Sequence, residues 1–463
     1  MPIFSIEAFN LILCVRNTTR SIAQSSRSAF SAVNKRSGER FCLLSLVLLR
    51  FSDYEHCDAW GRPGWFSDGS WICLSELLHE MQEAGRIMFT TDLSLVIGGA
   101  EVVMIAVGTP SRAEGDVDLS QIFSAADDIG RRLDHEAVVV VKSTVPIGTN
   151  RRVLERVHER MVEQGRGETA PLITIASLPE FLSQGRAVQD FFHPERIVIG
   201  VEDEVTRALI DRMHEGIQAP RLSMSLESAE LAKYASNALL ATKVSFINEI
   251  ANIADRTGAD VRDVAKAVGL DRRIGPHFLE AGIGYGGSCF PKDVVGLHQL
   301  AGTSGYDFKL LSAVIEVNNR QREQFFRRVE MGLGNLRGRR IAVWGLAFKG
   351  GTDDVRESIA IDLIQRVFAR GAEVIVYDPQ AMENARRILP EAIRFAPTAV
   401  DAVSGADALL VLTDWPEFRD ISFDAVRQGM VEPRIFDGRN LLSDLHLDQQ
   451  GFFYEGVGLG TPR

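Results

Sequence analysis

Three short apolar runs determine how the N-terminal half of this 463-residue chain is interpreted: VVMIAV at residues 102–107, AVVVV at residues 137–141 and LITIA at residues 172–176. Runs rich in β-branched residues are typical of strands buried on both faces of a parallel sheet. Residues 119–133, between the first two runs, show helical spacing. Strand–helix–strand units predict an α/β fold with a doubly wound sheet. The same strands also fit a generic α/β layer that binds no ligand.

A second alternation of strands and helices begins near Leu336. The apolar runs are RRIAVWG (339–345), EVIVYD (373–378), ALLVL (408–412) and RIFD (434–437), with a helical stretch at 359–369. They predict a second Rossmann-like unit. Its first turn, GLAFKGG, lacks the G-x-G-x-x-G spacing that brings a pyrophosphate to a helix N-terminus, so we expect it to bind a nucleotide in another way, if at all.

The region between the two units is helical. From residue 227 to residue 257 apolar side chains recur every three or four positions, without glycine or proline before Gly258, which predicts one long helix. Lys233 and Asn237 are four residues apart and therefore share a face of this helix. From spacing alone a solvated pair is favoured over a functional one.

The segment GIGYGGSCFPKD, residues 282–293, carries the strongest chemical signal. Four glycines and a proline exclude helix or strand interior, so this loop can bring its backbone close to a ligand. Cys289 lies in it, three residues before Lys292, whose ammonium would stabilise a thiolate nucleophile. The alternative is a buried structural cysteine in a turn.

Composition excludes several classes of protein. Lys and Arg number 51 against 62 Asp and Glu, a net charge of −11 with no basic patch, so neither nucleic acid nor an anionic membrane surface is expected as a partner. The longest apolar run near the N-terminus, 42–49, is shorter than the roughly 20 residues that a spanning helix needs. Five cysteines without disulfide or metal spacing predict a cytoplasmic protein without a bound metal.

Residues 1–73 differ from the rest of the chain. They hold four of the five cysteines and three of the five tryptophans, and their eight Lys and Arg against six Asp and Glu give a net charge of +2. No strand–turn–helix pattern is recognisable in them. A transit peptide is an alternative interpretation, against which the acidic residues Glu7 and Glu39 count.

Eight motifs in chain order resemble the UDP-glucose/GDP-mannose dehydrogenase family. They are VGTP (107–110), KSTVPIGT (142–149), PEFL (179–182), AKYASNALLATKVSFINEIAN (232–252), DRRIGPHFL (271–279), GYGGSCFPKD (284–293), GLAFKGGTDDVRES (345–358) and FDGRN (436–440). The resemblance covers about residues 74–442. It implies an α/β protein of two Rossmann-like doubly wound domains, joined by a long central helix and a helical dimerisation region.

Four segments follow from the resemblance. Residues 1–73 replace the first βαβ unit, and residues 74–215 form the rest of an NAD-binding domain. Residues 216–325 form a central helical dimerisation domain with the catalytic cysteine loop, and residues 326–463 form a UDP-sugar-binding domain. A homodimer or a higher homo-oligomer is also implied.

The reaction implied by the resemblance is the NAD-dependent, four-electron oxidation of UDP-glucose to UDP-glucuronate. The matching motifs make Cys289 the nucleophile, which forms a thiohemiacetal and then a thioester. They make Lys233 the group that stabilises the oxyanion, with Asn237 beside it. Asp293 and Thr144 would position the water, and Glu180 would act as a general acid or base.

Binding roles are carried over in the same way. The residues implied to contact NAD are Thr109, Thr144, Lys292 and Arg356. Those implied to contact the UDP-sugar are Glu180, Phe181, Leu182, Lys233, Asn237, Tyr285, Gly286, Lys349 and Arg439, together with Arg273 reaching a neighbouring subunit's substrate.

Two departures from the family pattern stand out. Before residue 74 no strand runs into G-x-G-x-x-G with an acid about twenty residues later, although dinucleotide binding uses that turn. The abrupt return of the pattern at Leu74 suggests that the preceding stretch was altered as a block, as by a reading-frame change. Leu178 stands where the family usually has Asn before PEFL, and we expect a smaller effect there.

Three functions therefore stay open. The chain is a dehydrogenase of UDP-glucose, a dehydrogenase of another nucleotide sugar such as GDP-mannose or UDP-N-acetylmannosamine, or a non-catalytic remnant that binds a UDP-sugar but not NAD. The long helix and the GYGGSCFPKD loop favour UDP-glucose as substrate. The missing phosphate-binding turn favours weak or no activity of this chain.

Overall fold

The computed structural model describes residues 12–15, 74–83, 85–112 and 115–460. It divides the chain into two compact units, Met1–Ala235 (unit 1) and Ser236–Arg463 (unit 2). What the sequence predicts for residues 1–11 and 16–73 lies outside the described residues. The domain boundaries after residues 73, 215 and 325 stay predictions.

Unit 1 alternates strands with helices. Its strands are β1 (Ile12–Val15), β2 (Val102–Ile105), β3 (Ala137–Val141), β4 (Ile173–Ser177), β5 (Ile197–Gly200) and β6 (Arg221–Met224). Its helices are α1 (Leu74–Glu83), α2 (Ser94–Ile97), α3 (Ser120–Arg132), α4 (Thr149–Glu163), α5 (Ala187–Phe192) and α6 (Glu204–Met213). A final helix, α7 (Leu226–Thr257), begins in unit 1 and ends in unit 2.

The six strands of unit 1 form one sheet in the order β1 to β6. β2, β3 and β4 pair in parallel through the crossover helices α3 and α4, and β6 pairs in parallel with β5. This confirms the predicted α/β fold. Two pairings differ from a fully parallel sheet, because β1 runs antiparallel to β2, and β5 runs antiparallel to β4.

Alternate residues of the strands enter two apolar layers. Val103 and Val139 pack in the layer that contains Ile122 of α3 and Val157 of α4. Val102, one residue away, packs in the opposite layer with residues of α1 and α6. Burial on both faces explains why these strands are continuous apolar runs rather than alternating ones.

Unit 2 combines a helical part with a second sheet. After the end of α7 come α8 (Val261–Gly269), α9 (Phe290–Thr303) and α10 (Lys309–Leu333). The strands are β7 (Arg340–Trp344), β8 (Glu373–Tyr377), β9 (Arg394–Phe395), β10 (Ala408–Val411), β11 (Arg434–Asp437) and β12 (Phe453–Glu455). The intervening helices are α11 (Ile359–Ala369), α12 (Met382–Arg386), α13 (Ala399–Ala402) and α14 (Phe423–Gly429).

The sheet of unit 2 has the order β12-β11-β10-β7-β8-β9, and all its pairings are parallel. The order reverses beside β7, as in a doubly wound fold. The second Rossmann-like unit predicted from the sequence is therefore confirmed, with β9 and β12 as additional strands.

The helix α7 buries polar residues and exposes apolar ones. Its buried polar residues are Glu230, Lys233, Asn237, Ser245, Asn248 and Asn252. Its exposed large apolar residues are Leu231, Leu239, Phe246 and Ile253. It buries apolar residues as well, such as Tyr234 and Ile247, so polar and apolar residues share its buried surface. Lys233 and Asn237 are therefore not the solvated pair that spacing alone favours. In the described ranges, moreover, the helices lack the length and hydropathy needed to cross a membrane.

Candidate active site

Glu180 and Lys233 form an ion pair in unit 1. Glu180 follows β4, and its Oε2 accepts a hydrogen bond from the backbone N–H of Leu182 at 2.6 Å. Lys233 projects from α7 with 5% of its surface exposed, and its Nζ lies 3.7 Å from Oε1 of Glu180. A buried ammonium held in this way can donate a hydrogen bond to negative charge that develops on a bound molecule.

The ring of Phe181 lies against two cations. The guanidinium carbon of Arg196 is 4.1 Å from the ring centroid, and Nζ of Lys233 is 5.1 Å from it. Leu182 packs against the apolar core of unit 1. The structure thus brings Glu180, Phe181 and Lys233 together.

A cavity of about 420 Å³ opens beside Glu180, and its walls include Lys142, Arg196 and His214. Burial lowers the pKa of Lys142 to about 8, although the nearby charge of Glu180 acts in the opposite direction. Burial also lowers the pKa of His214 to about 4, while Nδ1 of its ring is hydrogen-bonded to the carbonyl of Ile210 at 2.9 Å. The imidazole is therefore neutral at pH 7, and the amine of Lys142 loses its proton more readily than an ordinary lysine.

Thr109 and Thr144 come together where the chain leaves β2 and β3. The hydroxyl of Thr109 donates a hydrogen bond to the carbonyl of Thr144 at 3.0 Å. The hydroxyl of Ser143 both accepts from the N–H of Val107 at 2.9 Å and donates to its carbonyl at 2.7 Å. These loops lie at the carboxyl edge of parallel strands, where open α/β sheets bind their ligands.

Glu230 of α7 binds the N-terminus of α4. Its Oε2 accepts from the N–H of Gly148 at 2.6 Å, and its Oε1 accepts from the N–H of Asn150 at 2.8 Å and from Nδ2 of Asn150 at 2.6 Å. Burial raises the pKa of this carboxyl, and the hydrogen bonds oppose that rise. Glu230 was not predicted from the sequence, although it precedes Lys233 by three residues and so shares its face of the helix.

In unit 2, Cys289 is exposed immediately before α9. Its Sγ lies 3.7 Å from Oγ of Ser288, and its carbonyl accepts a hydrogen bond from the N–H of Asp293 at 2.9 Å. The alternative of a buried structural cysteine is therefore wrong. An exposed thiol can reach an electrophile, as a nucleophile must.

Asp293, one turn into α9, is buried with 1% of its surface exposed. Its Oδ2 accepts from Nδ2 of Asn237 at 2.6 Å, and its Oδ1 lies 2.8 Å from Nζ of Lys292. The structure thus brings Asn237, Lys292 and Asp293 together. It pairs the ammonium of Lys292 with this carboxylate.

Tyr285 and Gly286 precede the cysteine in a tightly packed loop. A Cβ on Gly286 would overlap the carbonyl oxygen of Glu357, a residue that itself has a positive φ of 50°. Burial raises the pKa of Tyr285 to about 12, so its hydroxyl keeps its proton and can donate a hydrogen bond. Backbone strain at Glu357 adjoins the loop that carries the nucleophile, as strain in functional loops often does.

Asp378, which follows β8, closes the turn that follows β7. Its Oδ2 accepts from the N–H groups of Leu346 and Ala347 at 2.7 and 3.1 Å and from Nε1 of Trp415 at 3.0 Å. In the same turn the ammonium of Lys349 lies 5.8 Å from the ring centroid of Phe348. The amides that would face a pyrophosphate in a dinucleotide-binding turn are thus bound to a carboxylate.

Arg439 links three loops of unit 2. Its guanidinium donates to the carbonyls of Leu412, Gly284 and Phe348 at 3.0, 3.1 and 2.9 Å. Five N–H groups are available on a guanidinium, so some can still meet an anion. The arginine thereby holds the cysteine loop and the turn after β7 together.

The two other predicted arginines pair with neighbouring acids. Nε of Arg356 donates to Asp354 at 2.8 Å. Nη2 of Arg273 lies 2.6 Å from Asp271, and its side chain is 88% exposed. The exposure of Arg273 leaves it able to reach another molecule.

Leu178, the departure from the family pattern, lies in the apolar core of unit 1 with 1% exposure. An apolar side chain is well accommodated there. The sequence also predicts no metal site, and among the described residues no group of three His, Cys, Asp or Glu side chains is arranged to hold one.

Three family models match the chain. They describe the NAD binding domain, the central domain and the UDP binding domain of the UDP-glucose/GDP-mannose dehydrogenase family, at residues 72–218, 227–320 and 342–444. The first match begins at residue 72, close to the point where the recognisable motifs begin.

Named proteins and solved structures are similar over the same span. UDP-glucose 6-dehydrogenase YwqF of Bacillus subtilis is 43% identical over 83% of this chain and 86% of its own length. A UDP-glucose 6-dehydrogenase of Pseudomonas aeruginosa is 42% identical with the same coverages. The structure of a UDP-glucose dehydrogenase from Pyrobaculum islandicum is 36% identical, with a TM-score of 0.76 over 84% of this chain and 86% of that one.

The described residues fit the uncharged part of a dinucleotide. Thr109 and Thr144 carry hydroxyls at the carboxyl edge of the strands, and Gly108, next to Thr109, is exposed. A pyrophosphate needs free amides at a helix N-terminus. At the start of α3 the N–H of Ser120 is bound to Asp118, and at the start of α4 the N–H of Asn150 is bound to Glu230, so these two amides are not available to a pyrophosphate.

Proposed function

Because the chain belongs to the UDP-glucose/GDP-mannose dehydrogenase family, we propose that it oxidises UDP-glucose to UDP-glucuronate with two NAD and one water. The observation that carries this proposal is the exposed thiol of Cys289 one helical turn from the buried Asp293–Asn237 pair. The named UDP-glucose 6-dehydrogenases among its relatives support UDP-glucose as substrate over GDP-mannose and UDP-N-acetylmannosamine.

The first oxidation converts the C6 alcohol to an aldehyde. When bound, NAD accepts a hydride from C6 in this oxidation and in the second one. The hydroxyl proton of the alcohol leaves to a base, for which Glu180 is the candidate. Nζ of Lys233 donates a hydrogen bond to the oxygen as negative charge develops on it.

Covalent catalysis by Cys289 makes the second oxidation possible. Its thiolate adds to the aldehyde carbon, and the oxygen takes up a proton to give a thiohemiacetal. Loss of the second hydride and of that proton leaves a thioester. Water then attacks the thioester carbon, the C–S bond breaks, and the thiolate is released with the carboxylate product. Asp293 and Thr144 hold the water, and Glu180 accepts its proton.

The nucleotide part of the substrate binds to unit 2. Lys349 and the spare N–H groups of Arg439 suit a diphosphate, because guanidinium and ammonium groups form charge-assisted hydrogen bonds with phosphate oxygens. The protonated hydroxyl of Tyr285 and the backbone at Gly286 supply uncharged contacts. Thr109, Thr144, Lys292 and Arg356 are the proposed contacts of NAD.

A homodimer is part of the proposal. Leu239, Phe246 and Ile253 repeat every seven residues on α7 and are 63%, 53% and 54% exposed. Such a stripe is favoured in water when another apolar surface covers it. In a dimer the exposed Arg273 would reach the substrate of the neighbouring subunit. Phe246→Glu should shift the mass measured by light scattering to that of the monomer. Met331→Glu, a change at another exposed apolar position, should leave the mass unchanged. A monomeric wild type would refute the dimer.

The deciding experiment measures NADH formed per UDP-glucose consumed by the purified chain. Two NADH per sugar, abolished by Cys289→Ala and retained by Cys57→Ala, support the thioester route. GDP-mannose and UDP-N-acetylmannosamine are compared as substrates in the same assay. One NADH per sugar would overturn the four-electron reaction.

A non-catalytic remnant is the second candidate. It is favoured by the lack of G-x-G-x-x-G before residue 74 and by the carboxylates of Asp118 and Glu230, which bind amides at the starts of α3 and α4. Loss of the pyrophosphate contacts should cost several kcal/mol of cofactor affinity. Binding of UDP-glucose without binding of NAD, measured separately by calorimetry, would establish the remnant.

A further inference from the structure

The cysteine loop, residues 282–289, is held by side-chain amides. We propose that Asn248, Asn318 and Gln321 are positioning residues that set the place of Cys289 by binding the backbone of this loop. The inference rests on the proposed function, in which Cys289 attacks the aldehyde. None of the three was predicted from the sequence.

Asn318 of α10 binds both polar groups of one residue of the loop. Its Oδ1 accepts from the N–H of Tyr285 at 2.9 Å, and its Nδ2 donates to the carbonyl of Tyr285 at 3.0 Å. It is 4% exposed. A side-chain amide offers a donor and an acceptor side by side, so it can pair with a backbone residue as a neighbouring strand would.

Asn248 of α7 and Gln321 of α10 bind the start of the loop. The N–H of Gly282 donates to Oδ1 of Asn248 at 2.9 Å, and its carbonyl accepts from Nε2 of Gln321 at 2.8 Å. Oε1 of Gln321 is in turn held by Nδ2 of Asn252 at 2.9 Å. The three glutamine and asparagine side chains are all buried.

Two more groups of the loop backbone bind the FDGRN segment. The N–H of Ile283 donates to the carbonyl of Gly438 at 2.9 Å, and the carbonyl of Gly284 accepts from Arg439. Six polar groups of residues 282–285 are therefore satisfied by partners outside the loop. A buried segment without a strand or helix ladder has to obtain its hydrogen bonds in this way.

Asn248, Asn318 and Gln321, called the clamp from here on, suit a site at which charge develops during the reaction. Asparagine and glutamine do not titrate, so they hold the loop at any pH without adding charge near the thiolate. The clamp ends at Tyr285, four residues before Cys289, and close packing of Gly286 against Glu357 continues it. The loop is thus anchored to within three residues of the exposed nucleophile.

The two oxidations provide a readout that separates positioning from general stability. Only the second oxidation needs Cys289. Asn318→Leu keeps the size of the side chain but removes both hydrogen bonds. If it displaces the thiol, the first oxidation persists while thiohemiacetal formation slows by about 100-fold, the cost of a misplacement near 1 Å.

The experiment counts NADH per UDP-glucose in the presence of hydroxylamine, which traps a released aldehyde. We expect the ratio to fall from two towards one in Asn318→Leu and to stay at two in Asn319→Leu, a matched change at the exposed neighbouring position. Gln321→Leu, which removes one hydrogen bond from the loop, should show the same fall to a smaller degree and serves if Asn318→Leu does not fold. A ratio of two in every folded clamp variant would overturn the proposal.

A wild type without NADH formation would refute the proposed function but would still leave the clamp open to test. Alkylation of Cys289 by iodoacetamide, followed at that peptide by mass spectrometry, reports the surroundings of the thiol without turnover. A rate in Asn318→Leu that differs from wild type by at least about 3-fold, with Asn319→Leu unchanged, supports the clamp. Equal rates would reject it.

Discussion

Replacing Glu230 by Gln should loosen the start of α4 and the loop before it. Oε1 of Glu230 accepts both hydrogen bonds from Asn150, and Oε2 accepts the one from Gly148. The amide oxygen of Gln can keep the first two. Its NH₂ group would then face the N–H of Gly148, so one part-buried donor loses its acceptor.

The expected loss follows from these contacts. A buried donor left unpaired costs about 1–3 kcal/mol. Removing a negative charge from a partly buried helix N-terminus costs about 0.5–2 kcal/mol. Against this, the raised pKa of Glu230 shows that burying its charge is itself unfavourable, and Gln avoids that cost. We expect a net loss of about 2 kcal/mol in the local stability of residues 142–151 at pH 7.

Amide hydrogen exchange measured by mass spectrometry reports this local stability. A loss of about 2 kcal/mol corresponds to about 30-fold faster exchange of peptides from this segment. Glu227→Gln is the matched control, since Glu227 also lies on α7 and pairs with Arg151 of α4, but at the surface. Such a pair contributes at most about 1 kcal/mol. Exchange in Glu230→Gln no faster than in Glu227→Gln would refute the reasoning.

Two further predictions concern the cavity beside Glu180. The pKa of His214 is lowered to about 4 in the fold, so its contribution to stability is complete above pH 6.5 and falls by about 3 kcal/mol as the pH falls towards 4. In urea unfolding, the His214→Gln variant should therefore lose less stability over this pH range than wild type or the exposed-site control His79→Gln. An equal loss would contradict this prediction. The pKa of Lys142 is lowered to about 8, so its amine is about half deprotonated at pH 8. Acetic anhydride should therefore acetylate Lys142 faster than the exposed Lys266. Peptide mass spectra that show slower acetylation of Lys142 would contradict this prediction.

Much of the fold follows from local patterns. The strands β2, β3 and β4 are short apolar runs, and α7 is one uninterrupted helical pattern, so periodicity and length are sufficient to predict them. The strand β6 was missed because Arg221, Leu222 and Ser223 are exposed and show no apolar pattern. The antiparallel pairing of β5 with β4 rests on a single pair, Ser177 with Gly200, and nothing local to either strand specifies its direction.

The candidate site likewise contains residues that can be predicted from the sequence and residues that cannot. Residues whose chemistry is unusual for their setting, such as Cys289 in a glycine-rich loop, can be found from the sequence. Glu230, Asn318 and Gln321 could not, because their role is to bind backbone groups that are distant along the chain. A signal exists for Asn318 and Gln321, which interrupt the apolar face of α10 formed by residues such as Leu311 and Val314. Polar residues at core positions of a helix favour a specific buried partner.

The two sheets show why topology alone does not assign a dinucleotide site. In a dinucleotide-binding unit, amides of the first turn bind the pyrophosphate, and an acid after the second strand binds a ribose. Unit 2 has both parts, but one carboxylate oxygen of Asp378 accepts hydrogen bonds from the N–H groups of Leu346 and Ala347 in that turn. Its other oxygen accepts from the N–H groups of Gln380 and Ala381. The acid that would bind a ribose of the cofactor instead accepts hydrogen bonds from amides of the turn that would bind its pyrophosphate. Unit 2 therefore keeps the strand order of a dinucleotide-binding fold, while two amides of its first turn are already bound by its own carboxylate.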